Sequence, residues 1–259
     1  MAERYQRAES YLNKNSIPYR AELDVARPCE ASDIRDARKG ILYAGLLQVI
    51  RRGTAEILEE SEDGVFLRDT VSDCFMLAVD NGRIGEQWLK AHENMGYKLL
   101  LVFRRELVCF AGKRYGLPPM IECFQAVYSG KESSVRHGNL KIRAAGMGDF
   151  LLVSAHYGMV SEQELREIIC RGNLFIGFYD GNPVGFIGEH LEGSMGLLEI
   201  FPQYRGRGFG TEMESFMICH MLEKGQLPFC QVETDNCSSI RLQKKLGLTI
   251  SEEHMYWLG

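Results

Sequence analysis

Apolar residues recur at helical spacing at Ile41, Ala44, Leu47, Ile50 and Ile57, with charged residues between them. The stretch from Asp33 to Ser61 therefore predicts helix, and the first 60 residues read as helical. The period then changes. Gly64 to Arg68 and Cys74 to Val79 are short apolar runs of strand length. A helix is predicted from Gly85 to Met95, with Gly96 as its C-terminal cap, then a buried strand from Tyr97 to Phe103. Arg104 to Tyr115 predicts a helix closed by Gly116, and Met120 to Tyr128 a further strand.

The second half has a clearer rhythm. Leu140 to Ala144 predicts a strand, and two short helices follow over Gly148–His156 and Ser161–Arg171. Ser161, three residues before Glu164, has the spacing of a capping box. Leu174 to Tyr179 and Pro183 to His190 predict a hairpin across Asp180-Gly181-Asn182. Gly196 to Phe201 is the next strand. A glycine-rich turn, a helix to about Lys224, a strand over Phe229–Glu233, a helix over Ser238–Leu246 and a strand over Thr249–Trp257 complete the order β-α-α-β-β-β-α-β-α-β. The polar, aperiodic stretch from Ser129 to Gly138 is the linker candidate. It sets a domain boundary near residue 135, giving domains 1–135 and 136–259. Lys113-Arg-Tyr-Gly and Lys244-Lys-Leu-Gly are echoes in corresponding places. Two readings stand: a diverged internal copy, or a chance match, because Lys and Gly both favour helix ends.

Composition narrows the class. With 45% hydrophobic and 25% charged residues the chain is globular rather than disordered. No apolar run reaches membrane-spanning length, and the charged start lacks an apolar signal core, so a cytoplasmic protein is expected. The net charge of −5 argues against a nucleic-acid partner. The eight cysteines form no CxxC pair, and several lie in apolar runs. Reduced, buried thiols and no metal site are the expectation.

The most informative segment is Leu198-Glu-Ile-Phe-Pro-Gln-Tyr-Arg-Gly-Arg-Gly-Phe-Gly-Thr211. A strand ends, three glycines alternate at 206, 208 and 210, and an apolar-faced helix begins. Glycines admit a tight turn and a closely approaching ligand, and free N–H groups at a helix N-terminus point at an anion. Arg205 and Arg207 add positive charge. The spacing matches neither a Walker loop nor a full Rossmann fingerprint, because position 211 is Thr.

Gln203-Tyr-Arg-Gly-Arg-Gly resembles the Q/R-x-x-G-x-G/A signature of the GNAT acetyltransferase superfamily. Asn236-Cys-Ser-Ser-Ile-Arg-Leu-Gln-Lys-Lys-Leu-Gly-Leu resembles its second motif. The resemblance covers residues 138 to 259. It implies an α/β (α+β) fold, with a mixed, mostly antiparallel GNAT-like sheet flanked by helices, beside a second N-terminal α/β domain. It also implies an acetyl-CoA-dependent N-acetyltransferase in which a primary amine attacks the thioester directly. By that resemblance Arg205, Gly206, Arg207, Gly208, Phe209, Gly210 and Thr211 hold the pyrophosphate. The backbone near Glu199 and Ile200 pairs with the pantetheine arm and offers an amide to the thioester oxygen, and Asn236 lies near the cofactor. Asparagine at 236 is equally an N-cap for the helix that follows.

Glu199 is the first choice of base, with Glu189, His190 and Glu233 as alternatives. The family's frequent acid, a tyrosine, aligns with Gln243, which cannot donate a proton usefully. Cys237, His254 and Tyr256 are the remaining acid candidates. The expected partner is a small-molecule or peptide amine, with neither nucleic acid nor membrane, and a homodimer is a further expectation. The alternative is a non-catalytic acyl-CoA-binding or regulatory protein on the same fold. The N-terminal half reads Asp80-Asn-Gly-Arg where a glycine turn would fall, so no cofactor is expected there.

Overall fold

The computed structural model describes residues 2–14, 41–130 and 138–259. The boundary near 135, the start of the helix predicted from Asp33, and Cys29 lie outside the described residues. The described chain forms two compact units. Unit 1 comprises residues 1–127, 231–244 and 248–259, and unit 2 comprises 128–230 and 245–247. Residues 231–244 and 248–259, C-terminal in sequence, thus belong with the N-terminal segment. A single cut in the chain does not describe this division.

Unit 1 opens with helices α1 (Ala2–Lys14) and α2 (Ala44–Arg51). Strands β1 (Ala55–Ser61), β2 (Gly64–Asp69) and β3 (Phe75–Val79) follow as an antiparallel meander. Helix α3 (Gly82–Ala91) crosses to β4 (Leu100–Val102), parallel to β3, and α4 (Arg105–Tyr115) leads to β5 (Pro119–Val127). The helix predicted through Ser61 ends at Arg51, because Gly53 turns the chain with φ 74°. Residues 55–61 then pair with β2, and ladder bonds override a helical spacing that had only Ile57 to continue it. The last strand, β11 (Thr249–Leu258), runs antiparallel between β4 and β5. Two cores flank this sheet. On one face α1 and α2 pack Leu12, Leu46 and Val49 against Leu67, Met76 and Trp257. On the other α3 and α4 pack Leu89, Leu107 and Ala111 against Leu77, Val102 and Leu258.

Unit 2 starts with β6 (Lys141–Ala144), α5 (Phe150–Ser154) and α6 (Glu162–Cys170). The Ser161 hydroxyl caps α6 by accepting the Glu164 N–H at 3.1 Å. Strands β7 (Leu174–Tyr179), β8 (Asn182–Glu189) and β9 (Met195–Ile200) form an antiparallel meander with β6. Asp180 and Gly181 both take positive φ, as the two-residue hairpin turn demands. Helix α7 (Phe209–Glu223) then leads to β10 (Phe229–Glu233), which pairs in parallel with β9 at Cys230↔Met195. Helix α8 (Cys237–Lys245) precedes β11.

The predicted α/β class, a mixed and mostly antiparallel sheet flanked by helices, is the one observed. Both halves also share one element order: three antiparallel strands, a helix, a parallel strand, a helix and a strand. The cysteines depart from expectation. Cys74, Cys123 and Cys230 are buried free thiols, but Cys109, Cys170 and Cys237 are exposed. Cys109 lies on the outer face of the amphipathic α4, so the apolar run around it wraps the helix instead of entering the core.

Candidate functional site

Eight residues, 201–208, connect β9 to α7. After a short turn at Pro202–Tyr204, Gly206 and Gly208 adopt φ 75° and 85°. A residue with a side chain pays about 1–2 kcal/mol in that conformation. A Cβ built on either glycine meets nothing within 4 Å, so the space over the turn is open. Gly208 is the N-cap of α7 and no side chain caps the helix. The N–H groups of Phe209, Gly210 and Thr211 therefore point out of a 15-residue helix with no capping oxygen in front of them. Glu212, in the first turn, would oppose an anion, but its carboxylate accepts the Leu140 N–H at 2.5 Å. An open turn of left-handed glycines before an uncapped helix start has the geometry to receive an anion.

The corresponding turn of unit 1 lacks this geometry. Only Asp80 and Asn81 separate β3 from α3. The Asn81 side chain accepts the Arg83 N–H at 2.9 Å, and Asp80 accepts the Tyr11 hydroxyl at 2.8 Å. A capped helix behind a carboxylate does not attract a phosphate.

Both arginine side chains make contacts within the chain. Arg205 turns back along the strand. Its Nη2 donates to Glu199 Oε1 at 2.7 Å and its Nε donates to the Ile200 carbonyl at 2.9 Å. The Arg207 guanidinium stacks over Tyr179 at 4.7 Å and Phe209 at 5.0 Å, with Tyr204 at 5.9 Å. These cation–π contacts brace the turn on β7. Phe209 is itself buried, so only its N–H can face a ligand. Gly210 lies inside the helix, where a Cβ would make an ordinary 3.7 Å contact with Ile200. The cation that does reach the helix start is Lys245, whose Nζ donates to Thr211 Oγ1 at 3.3 Å. Its place in the second motif was the available signal.

Glu199 is opposite Phe186 in the β8–β9 register and so shares its face. The Tyr157 ring lies 6.2 Å from Phe186 on that face. Burial pushes the Tyr157 phenol up to about 12, with the carboxylates of Glu164, Glu192 and Glu199 adding to the shift. Glu164 is raised as well, chiefly by burial. Glu189 is buried, and His190 packs on Gly196, where a Cβ would sit 2.3 Å from its Nε2.

The remaining candidates belong to unit 1. Asn236 is seen in its capping role: Oδ1 accepts the Ser239 N–H at 3.0 Å. Gln243 is buried at 3% exposure, as a helix-core residue. Glu233 and Cys237 are exposed. His254 Nδ1 lies 2.5 Å from Glu122 Oε1, and burial raises the Tyr256 phenol, with the Glu122 carboxylate adding to the shift.

Residues 175–258 match the family described as FR47-like protein. A mycothiol acetyltransferase of Corynebacterium aurimucosum is 33% identical over 66 residues, which is 25% of this chain; the chain spans only 22% of the length of that relative. Among solved structures, a Drosophila protein aligns over 75% of this chain and 72% of its own at 16% identity, with a TM-score of 0.59. A GCN5-related N-acetyltransferase-like protein of Streptococcus suis aligns over 99% and 98% at 12% identity, with a TM-score of 0.55. At these identities the likeness is one of fold. The chain thus shares its fold with these structures, and residues 175–258 carry the FR47-like match, which takes in the glycine turn and the second motif.

Proposed function

We propose that this chain is an acetyl-CoA-dependent N-acetyltransferase acting on a primary amine. The observation that carries the reading is the uncapped N-terminus of α7 behind two left-handed glycines. The N–H groups from Phe209 to Thr211 and the Lys245 ammonium hold the diphosphate. The backbone of Glu199 and Ile200 receives the pantetheine arm as an added strand. When bound, acetyl-CoA supplies an activated acyl thioester. Glu199, on the face shared with Phe186 and Tyr157, takes the proton of the attacking amine. The chain need supply no proton donor to the departing thiolate, since an ordinary thiol has a pKa of about 8.5. The acceptor is a small-molecule or peptide amine, and the site of action is the cytoplasm. In support of the latter, the described cysteines are free thiols, and no described helix is long and apolar enough to cross a membrane.

A second reading, a non-catalytic acyl-CoA-binding protein, draws on two observations: Gln243 is buried in place of an acid, and Glu199 is tied to Arg205. Calorimetric titration with acetyl-CoA, followed by release of free CoA thiol in a panel of amines, separates them. Binding with turnover supports the enzyme. Binding without turnover across the panel supports the second reading, and no binding removes both.

A further inference from the structure

Glu199 does not stand alone on its face of β9. A bulge sets which face that is. The register with β8 runs Gly185↔Ile200 and Phe186↔Glu199, then resumes at Gly188↔Gly196, so Leu197 and Leu198 both face Ile187. Leu197 carries the bulge at φ 49°. Beyond Ile200 the pairing continues, and the Phe201 N–H donates to the Val184 carbonyl at 2.9 Å. Phe201 stands two residues from Glu199 and so shares its side of the strand. Its ring lies 6.1 Å from that of Phe186, the residue opposite Glu199. The His156 ring covers Phe201 in turn, with centroids 4.2 Å apart and planes at 32°.

His156 follows the last turn of α5. Its backbone N–H donates to the Val153 carbonyl at 3.0 Å, so the Leu152 carbonyl at the helix end turns to the ring instead. His156 Nδ1 lies 2.9 Å from that carbonyl. A carbonyl can only accept, so Nδ1 carries a hydrogen, and in the neutral ring Nε2 presents the lone pair. His156 is exposed, and its Nε2 has no hydrogen-bond partner among the described residues. The face therefore holds two proton acceptors of different kinds: a carboxylate bound to Arg205 at 2.7 Å, and an imidazole whose basic nitrogen is open to solvent.

We propose that His156 deprotonates the incoming acceptor: Nε2 takes one proton of a primary alkylammonium, R–NH3+, and the exposed ring passes it to solvent. This rests on the acetyl-transfer reading above and adds a step before it. An alkylamine with a pKa of about 10.4 is neutral in only about one molecule in 10³ at pH 7.4, and the ammonium has no lone pair with which to attack. With the first proton gone, the amine nitrogen bonds to the thioester carbon. Glu199 takes the second proton from that nitrogen, and the carbon–sulfur bond breaks to release the thiolate with its electron pair. The nitrogen of the addition intermediate is a far stronger acid than the free ammonium, so a carboxylate suits the second proton and the imidazole the first.

The test uses the full chain and its His156→Asn variant, which keeps an N–H donor for the Leu152 carbonyl but has no base. The thermal melt should be unchanged, and CoA should bind within about twofold of wild type by calorimetry. In the thiol-release assay, kcat/KM for the fastest primary alkylamine should fall by about 10²-fold, and by no more than about 10³-fold, the limit set by the neutral fraction. Fluorinated derivatives of the same amine are less basic at nearly the same shape, and they should lose progressively less. Added imidazole should restore part of the rate. The same loss along the whole amine series, or no loss, overturns the assignment. So does a wild-type His156 whose 15N shifts place the hydrogen of the neutral ring on Nε2, a measurement that does not depend on how the variant folds. A wild type that acetylates no amine overturns the enzyme reading, and this inference with it.

Discussion

The Arg205 guanidinium reaches back to the Glu199 carboxylate at 2.7 Å while its Nε holds the carbonyl of Ile200 at 2.9 Å. One side chain of the glycine turn is thereby bound to the end of the strand that would carry the base. Glycine turn and candidate base are mechanically one piece. Replacing Arg205 by alanine should affect both: weaker CoA binding by calorimetry and a lower kcat. Loss of kcat with unchanged CoA affinity would show that Arg205 serves Glu199 only.

Glu199→Gln keeps the shape and a hydrogen-bond acceptor for Arg205 but cannot take a proton. CoA affinity should stay within about threefold, and acetyl transfer should fall by about 10²- to 10⁴-fold, the usual contribution of a general base. A near-normal rate in the thiol-release assay would move the base elsewhere.

Gly208→Asp places a Cβ at φ 85° and a carboxylate over the N-terminus of α7. CoA binding should weaken by about 100-fold or more, from backbone strain and charge repulsion together. Calorimetry reads the change directly. In the wild type the same titration should find one CoA per chain, because Asn81 caps the matching helix of unit 1; a stoichiometry of two would contradict that difference.

His220 stacks against Phe216 and lies 4.6 Å from Phe175, and burial lowers its pKa. The folded form therefore disfavours the proton that the unfolded chain accepts near about pH 6.5. Stability should be complete above that pH and decline as pH falls through it toward the lowered folded value. His220→Phe should flatten this part of the profile, as read by denaturant melts between pH 5 and pH 8. A parallel offset with the same slope would assign the dependence to other groups.

Strand β11 lies between β4 and β5, with Trp257 and Met255 in a core shared with α1 and α2. Deleting residues 249–259 should remove the cooperative unfolding of unit 1. Expression of 138–259 alone should leave β11 as an unpaired strand that aggregates. A soluble, monomeric 138–259 fragment with a cooperative melt would show that β11 can fold without unit 1.

The elements of the second half were legible from residue pattern alone, because each is marked by local chemistry. Ser161 announces a helix start, Asp180-Gly181 a hairpin, and the alternating glycines a turn whose backbone no other residue adopts at low cost. The backbone of the glycine turn and the helix start behind it are likewise local, built from one continuous stretch of chain. Three features escaped such reading, each for a stated cause. Residues 55–61 became a strand because ladder bonds to β2 outweigh a weak helical spacing. The partners of Arg205 and Arg207 depend on which side chains the strands bring alongside, so charge beside a phosphate turn did not reveal where that charge is spent. The bulge at Leu197 and the seat of β11 in unit 1 arise from pairing between separate segments of the chain. A residue's own preferences cannot report a register, because register belongs to two strands at once.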